Sequence, residues 1–233
     1  MRKVLVLMGD GINSENELAR AFEEQGGVTR KIHVNELLNR PQILGEFELL
    51  ALPGGFSFGD ELRSGKILAE KMKDLINTHF SKFLSSGGKV IGICNGFQVL
   101  SQLGAFDWGS ERSFTLAEND HGQFMDKWTT LSISKDASRK SSWFHKLEGD
   151  IFLPVRHKEG RIIAKSAING VLHYHTDVNG SFDKTAGVVD KTGQIFGLMP
   201  HPEVATHDFL YPFKTGAKEN VKKIQTLFKN GLQ

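Results

Sequence analysis

The chain has a single cysteine, Cys94, among its 233 residues. That excludes an internal disulfide and any metal site built from a cysteine cluster. An excess of charge is also missing: 29 basic against 27 acidic residues leave a net charge of +2, with both signs interleaved. No basic arm or stripe is present to hold nucleic acid. No apolar run approaches the ~18 residues of a membrane-spanning helix. After Met1-Arg2-Lys3 only the five residues Val4–Met8 are apolar before Gly9-Asp10, too few for a signal-peptide core. The cytoplasm is the expected compartment. Repeats, low-complexity tracts and linkers are absent as well, so one domain over residues 1–233 is expected, long enough to bury a real core.

What is present is an alternation of apolar runs and amphipathic segments. Strands are predicted at Lys3–Met8, Val28–Val34, Phe47–Leu52 and Val90–Cys94. Helices are predicted at Glu15–Gln25, with Ser14 and Glu17 as a capping box, at Arg63–Phe83 (apolar spacing through Ile67, Met72, Ile76, Phe80), and from Phe97 to Leu103. Apolar strands alternating with helices imply an α/β fold, a parallel sheet covered on both faces. Short strands follow at Trp128–Ser134, Asp150–Val155, Arg161–Ala167, Gly170–His175, Ala186–Val189 and Gln194–Met199, then a closing helix, Ala217–Phe228. Periodicity is poor over Asp107–Lys146.

Three segments carry chemistry. Gly92-Ile93-Cys94-Asn95-Gly96 stands where the fourth strand hands over to a helix, a sulfur version of the G-x-S-x-G elbow. Small neighbours permit the sharp turn, the helix start favours thiolate, and the Asn95 N–H faces the pocket as an oxyanion donor. Met199-Pro200-His201-Pro202-Glu203 offers a stiffened base with a carboxylate to orient it. Pro53-Gly54-Gly55-Phe56-Ser57-Phe58-Gly59-Asp60 follows the third strand at its carboxyl end, where open α/β sheets bind ligands. Asp60-Glu61 in place of Lys-Ser/Thr excludes a P-loop, leaving backbone donors or a plain turn. A zinc reading of His201 through His207 fails on spacing, and His173 with His175 is two ligands short of a site.

Gly92-Ile-Cys94-Asn-Gly-Phe-Gln98 together with Pro200-His201-Pro-Glu203 and the Pro53-Gly-Gly loop resembles the class I glutamine amidotransferases. The stretches Leu52–Gly65, Val155–Arg161 and Asn179–Ser181 resemble the branch that supplies ammonia to the purine-pathway synthetase acting on formylglycinamide ribonucleotide. The resemblance implies a flavodoxin-like open, mostly parallel sheet with helices on both faces and extra short strands in the second half. It implies Cys94 as nucleophile, His201 as base and Glu203 as its orienter. Gly55 and Asn95 would hold the oxyanion, Gly54, Phe56 and Gln98 would meet glutamine, and His157 with Glu159 would line the pocket or a partner interface. No metal is implied. The chain would carry no cofactor, ATP and Mg²⁺ belonging to a separate large synthetase subunit that a small third subunit joins to it. Glutaminase activity would be low until docking. Lys158 and Val204 stand where the family has other residues. The residues leave open an amidotransferase of another pathway, a flavodoxin-like cysteine hydrolase, and a non-catalytic scaffold.

Overall fold

A computed structural model describes the chain apart from residues 61, 76–78, 108–109 and 213–215. Glu61 of the glycine loop and Ile76 of the predicted helix therefore lie outside the described residues.

In chain order the first half forms β1 (Lys3–Met8), α1 (Glu15–Glu23), β2 (Val28–His33), α2 (Val34–Asn39), β3 (Leu49–Leu52), α3 (Lys66–Leu75), α4 (Ser81–Ser85), β4 (Lys89–Ile93) and α5 (Asn95–Leu103). The second half adds β5 (Phe114–Glu118), β6 (Met125–Ile133), α6 (Ala137–Lys140), β7 (Asp150–His157), β8 (Glu159–Ala164), β9 (Gly170–Tyr174), β10 (Thr185–Val189), β11 (Ile195–Leu198) and α7 (Ala217–Gly231).

Nine strands form one sheet in the order β2-β1-β3-β4-β11-β10-β9-β6-β7. From β2 to β11 the neighbours are parallel, and from β11 outward they are antiparallel. β5 and β8 pair separately as an antiparallel ribbon. The inner parallel strands β1, β3, β4 and β11 are mostly apolar because both faces are covered: Val4–Leu7, Leu49–Leu52, Val90, Ile91, Ile93 and Ile195–Leu198 are all buried, whereas the edge strand β2 is largely exposed.

The topology places the site. The chain steps from β1 to β2 in one direction along the sheet and from β3 to β4 in the other. Right-handed crossovers then put α1 and α3 on opposite faces. Phe22 of α1 meets Phe228 of α7 edge-to-face at 5.1 Å, while Phe97 of α5 packs on Phe106 and Phe114 at 5.5 and 5.9 Å. Strand order reverses between β1 and β3, and ligands bind beyond the carboxyl ends of the strands at such a point.

Several local expectations are corrected. Ser14 makes no cap bond to α1; its hydroxyl donates to the Gly54 carbonyl at 3.2 Å, so the capping box is not formed. The helix expected from Arg63 begins at Lys66, because Asp60 accepts from the Ser64 hydroxyl (3.0 Å) and the Gly65 N–H (3.3 Å) and holds those residues in a turn. Its apolar spacing runs through α3 and α4, which flank residues 76–78 outside the described residues. Val34 opens α2, since the His33 ring accepts from the Asn35 N–H and starts a helix there. Pro41–Glu46 forms a 3-10 turn, which delays β3 to Leu49. The weakly periodic stretch from 107 to 146 holds β5, β6 and α6.

Candidate active site

Cys94 lies between the last residue of β4 and the first of α5, at φ 49° and ψ −105°. That backbone is strained for any residue with a side chain. Its neighbours leave no alternative. A Cβ on Gly92 would come within 2.7 Å of the Gly96 carbonyl oxygen, and one on Gly96 within 2.1 Å of that of Leu52. The turn is pinned by Cys94 N–H donating to the Leu198 carbonyl (2.8 Å) and by Gln98 N–H donating to the Cys94 carbonyl (3.0 Å). The thiol is nearly buried and donates to the Arg156 carbonyl at 3.5 Å. Asn95 opens α5, so its N–H is among those a helix leaves unpaired at its start.

His201 follows β11. Its N–H donates to the Pro154 carbonyl at 2.9 Å, and a 3-10 turn over Pro202–Val204 brings Glu203 back to the ring. Nδ1 and a Glu203 carboxylate oxygen lie 2.6 Å apart, with both residues under 9% exposed. Donation from Nδ1 to the carboxylate leaves Nε2 for the thiol. Nε2 is buried and has no nitrogen or oxygen partner. Burial alone would depress the imidazole pKa, but the Glu203 carboxylate, and after it the Cys94 sulfur, raise it well above the ordinary value.

The glycine loop closes the site from the β3 side. Asn13 N–H and the Ser14 hydroxyl donate to the Gly54 carbonyl, and Phe56 N–H donates to that of Gly11. A Cβ on Gly54 would sit 2.8 Å from His201 Cε1, so this glycine makes room for the imidazole. Gly55 has φ 144°, and a Cβ there would strike the Gly11 carbonyl oxygen at 2.6 Å. Phe58, Gly59 and Asp60 all have positive φ. The Asn95 side chain clamps this stretch, accepting from Ser57 N–H (3.3 Å) and donating to Asp60 (3.2 Å) and to Gln98 (2.9 Å).

A cavity of about 250 Å³ brings together Gly55, Phe56, Cys94, His201 and Glu203. Asn13, Ser14, Glu17, Phe124, Arg156 and Val204 complete its wall. Phe124 stands 6.4 Å from Phe56, ring to ring, and both are half exposed at the mouth. Of the residues absent from the expected set, Glu17 lay within the misread capping box. Arg156 sat beside His157 in the sequence, and Phe124 fell in the weakly periodic segment.

Gln98, His157 and Gly54 are not part of the cavity wall. Gln98 is off the cavity wall: its amide donates to the Glu159 carbonyl at 2.5 Å and accepts from Asn95, which buries it as a brace. His157 is likewise buried away from the cavity, and its Nδ1 meets Asn119 Oδ1 at 3.1 Å. Burial, then the charges of His201 and His121, push its pKa down to about 3, so it stays neutral. Glu159 pairs loosely with Arg63 at 3.6 Å. Gly54 contributes clearance for His201 rather than cavity wall. Lys158 reaches Glu118 at the surface, whereas Val204 lies on the cavity.

Among the described residues no group of three or more His, Cys, Asp or Glu side chains is arranged to hold a metal ion. His173 bonds Ser134 and the Asp183 carbonyl, and His175 bonds Asp150. No described helix is long and apolar enough to cross a membrane. A larger hollow of about 470 Å³ lies against the start of α7, remote in sequence from the elbow and without the thiol.

The model of the CobB/CobQ-like glutamine amidotransferase domain matches residues 1–173 and 167–233. The phosphoribosylformylglycinamidine synthase subunit PurQ of Dehalococcoides mccartyi is 36% identical over 86% of this chain and 84% of its own length. That of Methanococcus maripaludis is 34% identical over 99% of this chain and 94% of its own. Among solved structures, a chain of PurLQS from Thermotoga maritima superposes with a TM-score of 0.76 at 31% identity, covering 95% of this chain and 98% of that one.

Proposed function

This chain belongs to the CobB/CobQ-like glutamine amidotransferase family, and from that premise we propose that it is the glutaminase subunit of a phosphoribosylformylglycinamidine synthase. It hydrolyses glutamine and delivers ammonia to a synthetase that converts formylglycinamide ribonucleotide to formylglycinamidine ribonucleotide in purine biosynthesis. PurQ relatives matched over most of their own length support the pathway. The observation that carries the chemistry is the strained Cys94 opening onto the same cavity as the His201–Glu203 pair.

Cys94 gives its proton to His201 Nε2, a transfer favoured by the raised imidazole pKa, and the thiolate attacks the side-chain carboxamide carbon. The oxyanion is held by the N–H groups of Gly55 and Asn95. Collapse breaks the C–N bond, His201 returns its proton to the leaving nitrogen, and ammonia departs from a glutamyl thioester. Water then attacks the thioester while His201 accepts its proton. The C–S bond breaks, His201 reprotonates the sulfur, and glutamate leaves. Glu203 fixes the ring tautomer and balances the imidazolium. Phe56 walls the glutamine.

The whole chain acts as one amidotransferase domain, a reading supported by the single sheet to which both halves contribute strands. The Thermotoga maritima relative is solved as PurLQS. By that pattern this chain docks on a large synthetase subunit and a small bridging subunit in the cytoplasm, the synthetase binding ATP and Mg²⁺. Reconstitution tests the whole reading. The chain is mixed with its own organism's synthetase and small subunit, ATP, Mg²⁺ and formylglycinamide ribonucleotide, with glutamine or ammonium as nitrogen source. Amidine formed from glutamine only when this chain is present with Cys94 intact is the expected result. Product from ammonium but never from glutamine overturns it.

A further inference from the structure

Outside the reacting pair, the side chains on the cavity wall include one charge of each sign. Glu17 stands in the first turn of α1 and Arg156 near the end of β7. Glu17 Oε2 is shut off from water and has no hydrogen-bond partner. A buried carboxylate oxygen left so is unfavourable until a donor reaches it. The Arg156 carbonyl accepts from the Cys94 thiol, which places this residue beside the sulfur. Its guanidinium meets Asp126 through Nε at 3.3 Å, in a pair whose side chains are 51% and 70% exposed. Such a pair is weak, and a guanidinium has further N–H groups to offer. Neither side chain has a part in the hydrolysis steps above.

A free amino acid carries an ammonium and a carboxylate on one carbon. Its side-chain carboxamide is the group that reaches the sulfur. Building on the glutaminase reading, we infer that Glu17 receives the α-ammonium of glutamine and Arg156 its α-carboxylate. The two together make the site selective for free glutamine over glutamine whose amine or carboxyl group is missing or capped. The carboxylate–guanidinium match supplies paired, charge-assisted bonds. Phe56 and Phe124 stand beside the two charges on the cavity wall. Discrimination comes mainly from the wrong ligand: an analogue lacking the ammonium leaves Glu17 Oε2 without a donor, and one lacking the carboxylate leaves Arg156 only its weak pair with Asp126.

Ammonia release is measured in the assembled complex with three substrates: L-glutamine, glutaramate (which lacks the ammonium) and the α-methyl ester of glutamine (which lacks the carboxylate). Wild type is expected to favour glutamine over each analogue in kcat/KM by about tenfold to a hundredfold. Glu17→Gln is expected to lose the preference over glutaramate and keep that over the ester. Arg156→Met is expected to do the reverse, and Arg156→Lys to restore part of what Met removes. If both variants slow all three substrates by one common factor, or change none, the inference is overturned, and the common factor marks a merely structural role. If wild type releases no ammonia from glutamine at all, the glutaminase reading falls and takes the inference with it, a result distinct from unchanged ratios.

Discussion

His201 Nδ1 lies 2.6 Å from Glu203, with both side chains largely buried. The imidazolium is favoured in the fold because the carboxylate outweighs burial. A raised folded pKa contributes stability that is complete below the ordinary imidazole value of about 6.5 and is lost as pH rises through the raised one.

The first prediction concerns Glu203→Gln. It removes the largest upward pull on His201, so burial then dominates and the imidazole titrates lower. Glutamine hydrolysis is expected to fall about 10²- to 10⁴-fold. Urea unfolding at several pH values should show wild type more stable than the variant at pH 6, with the gap narrowing toward pH 10. A gap that widens with pH would contradict the assigned polarity of the pair.

The second prediction separates strain from chemistry at the elbow. Cys94→Ala and Cys94→Gly both remove the sulfur, so both abolish glutamine hydrolysis while docking on the synthetase survives. Only glycine accepts φ 49° without strain. Cys94→Gly is therefore expected to be more stable than Cys94→Ala by about 1–2 kcal/mol in urea unfolding. Equal stability would mean that the turn stores no strain.

The elbow and the His-Pro-Glu turn were legible because each is a local motif whose backbone demands show in its own residues. Gly92 and Gly96 collide with carbonyl oxygens if given a Cβ, and Pro202 begins the turn that returns Glu203 to His201. The α/β alternation was legible for a similar reason, since strands covered on both faces leave nearly unbroken apolar runs. The rest of the cavity was not. Glu17, Phe124 and Arg156 come from three distant segments that the sheet alone brings together. Ser14 carried a capping signal, yet its hydroxyl found the Gly54 carbonyl across the strand order. Tertiary contact outweighed a local preference worth about 1 kcal/mol.

A third prediction follows from Gly54. Its Cβ position is only 2.8 Å from His201 Cε1 and 3.2 Å from the Ser14 hydroxyl oxygen. Gly54→Ala must push the imidazole away from Cys94, or Ser14 and the loop away from the imidazole. A displacement near 1 Å in a reacting group costs about a hundredfold in rate. The fold should persist, because the sheet and its core do not involve this contact. A variant with wild-type kcat would show that the ring has room to spare.

The fourth prediction turns on Gln98, whose amide joins Asn95 to the Glu159 carbonyl and is 5% exposed. Asn95 in turn holds Ser57, just before the stretch with positive φ, and Asp60 at its end. Gln98→Leu leaves the Glu159 carbonyl without its donor and frees the Asn95 side chain to turn. A buried polar group orphaned this way costs about 1–3 kcal/mol. The variant should therefore lose stability by that amount in urea unfolding, and its KM for glutamine should shift by less than about threefold. A direct contact between Gln98 and glutamine would give the opposite pattern, with stability kept and KM raised about tenfold or more. Measuring both quantities on one variant decides between a brace that holds the loop and a residue that touches the substrate.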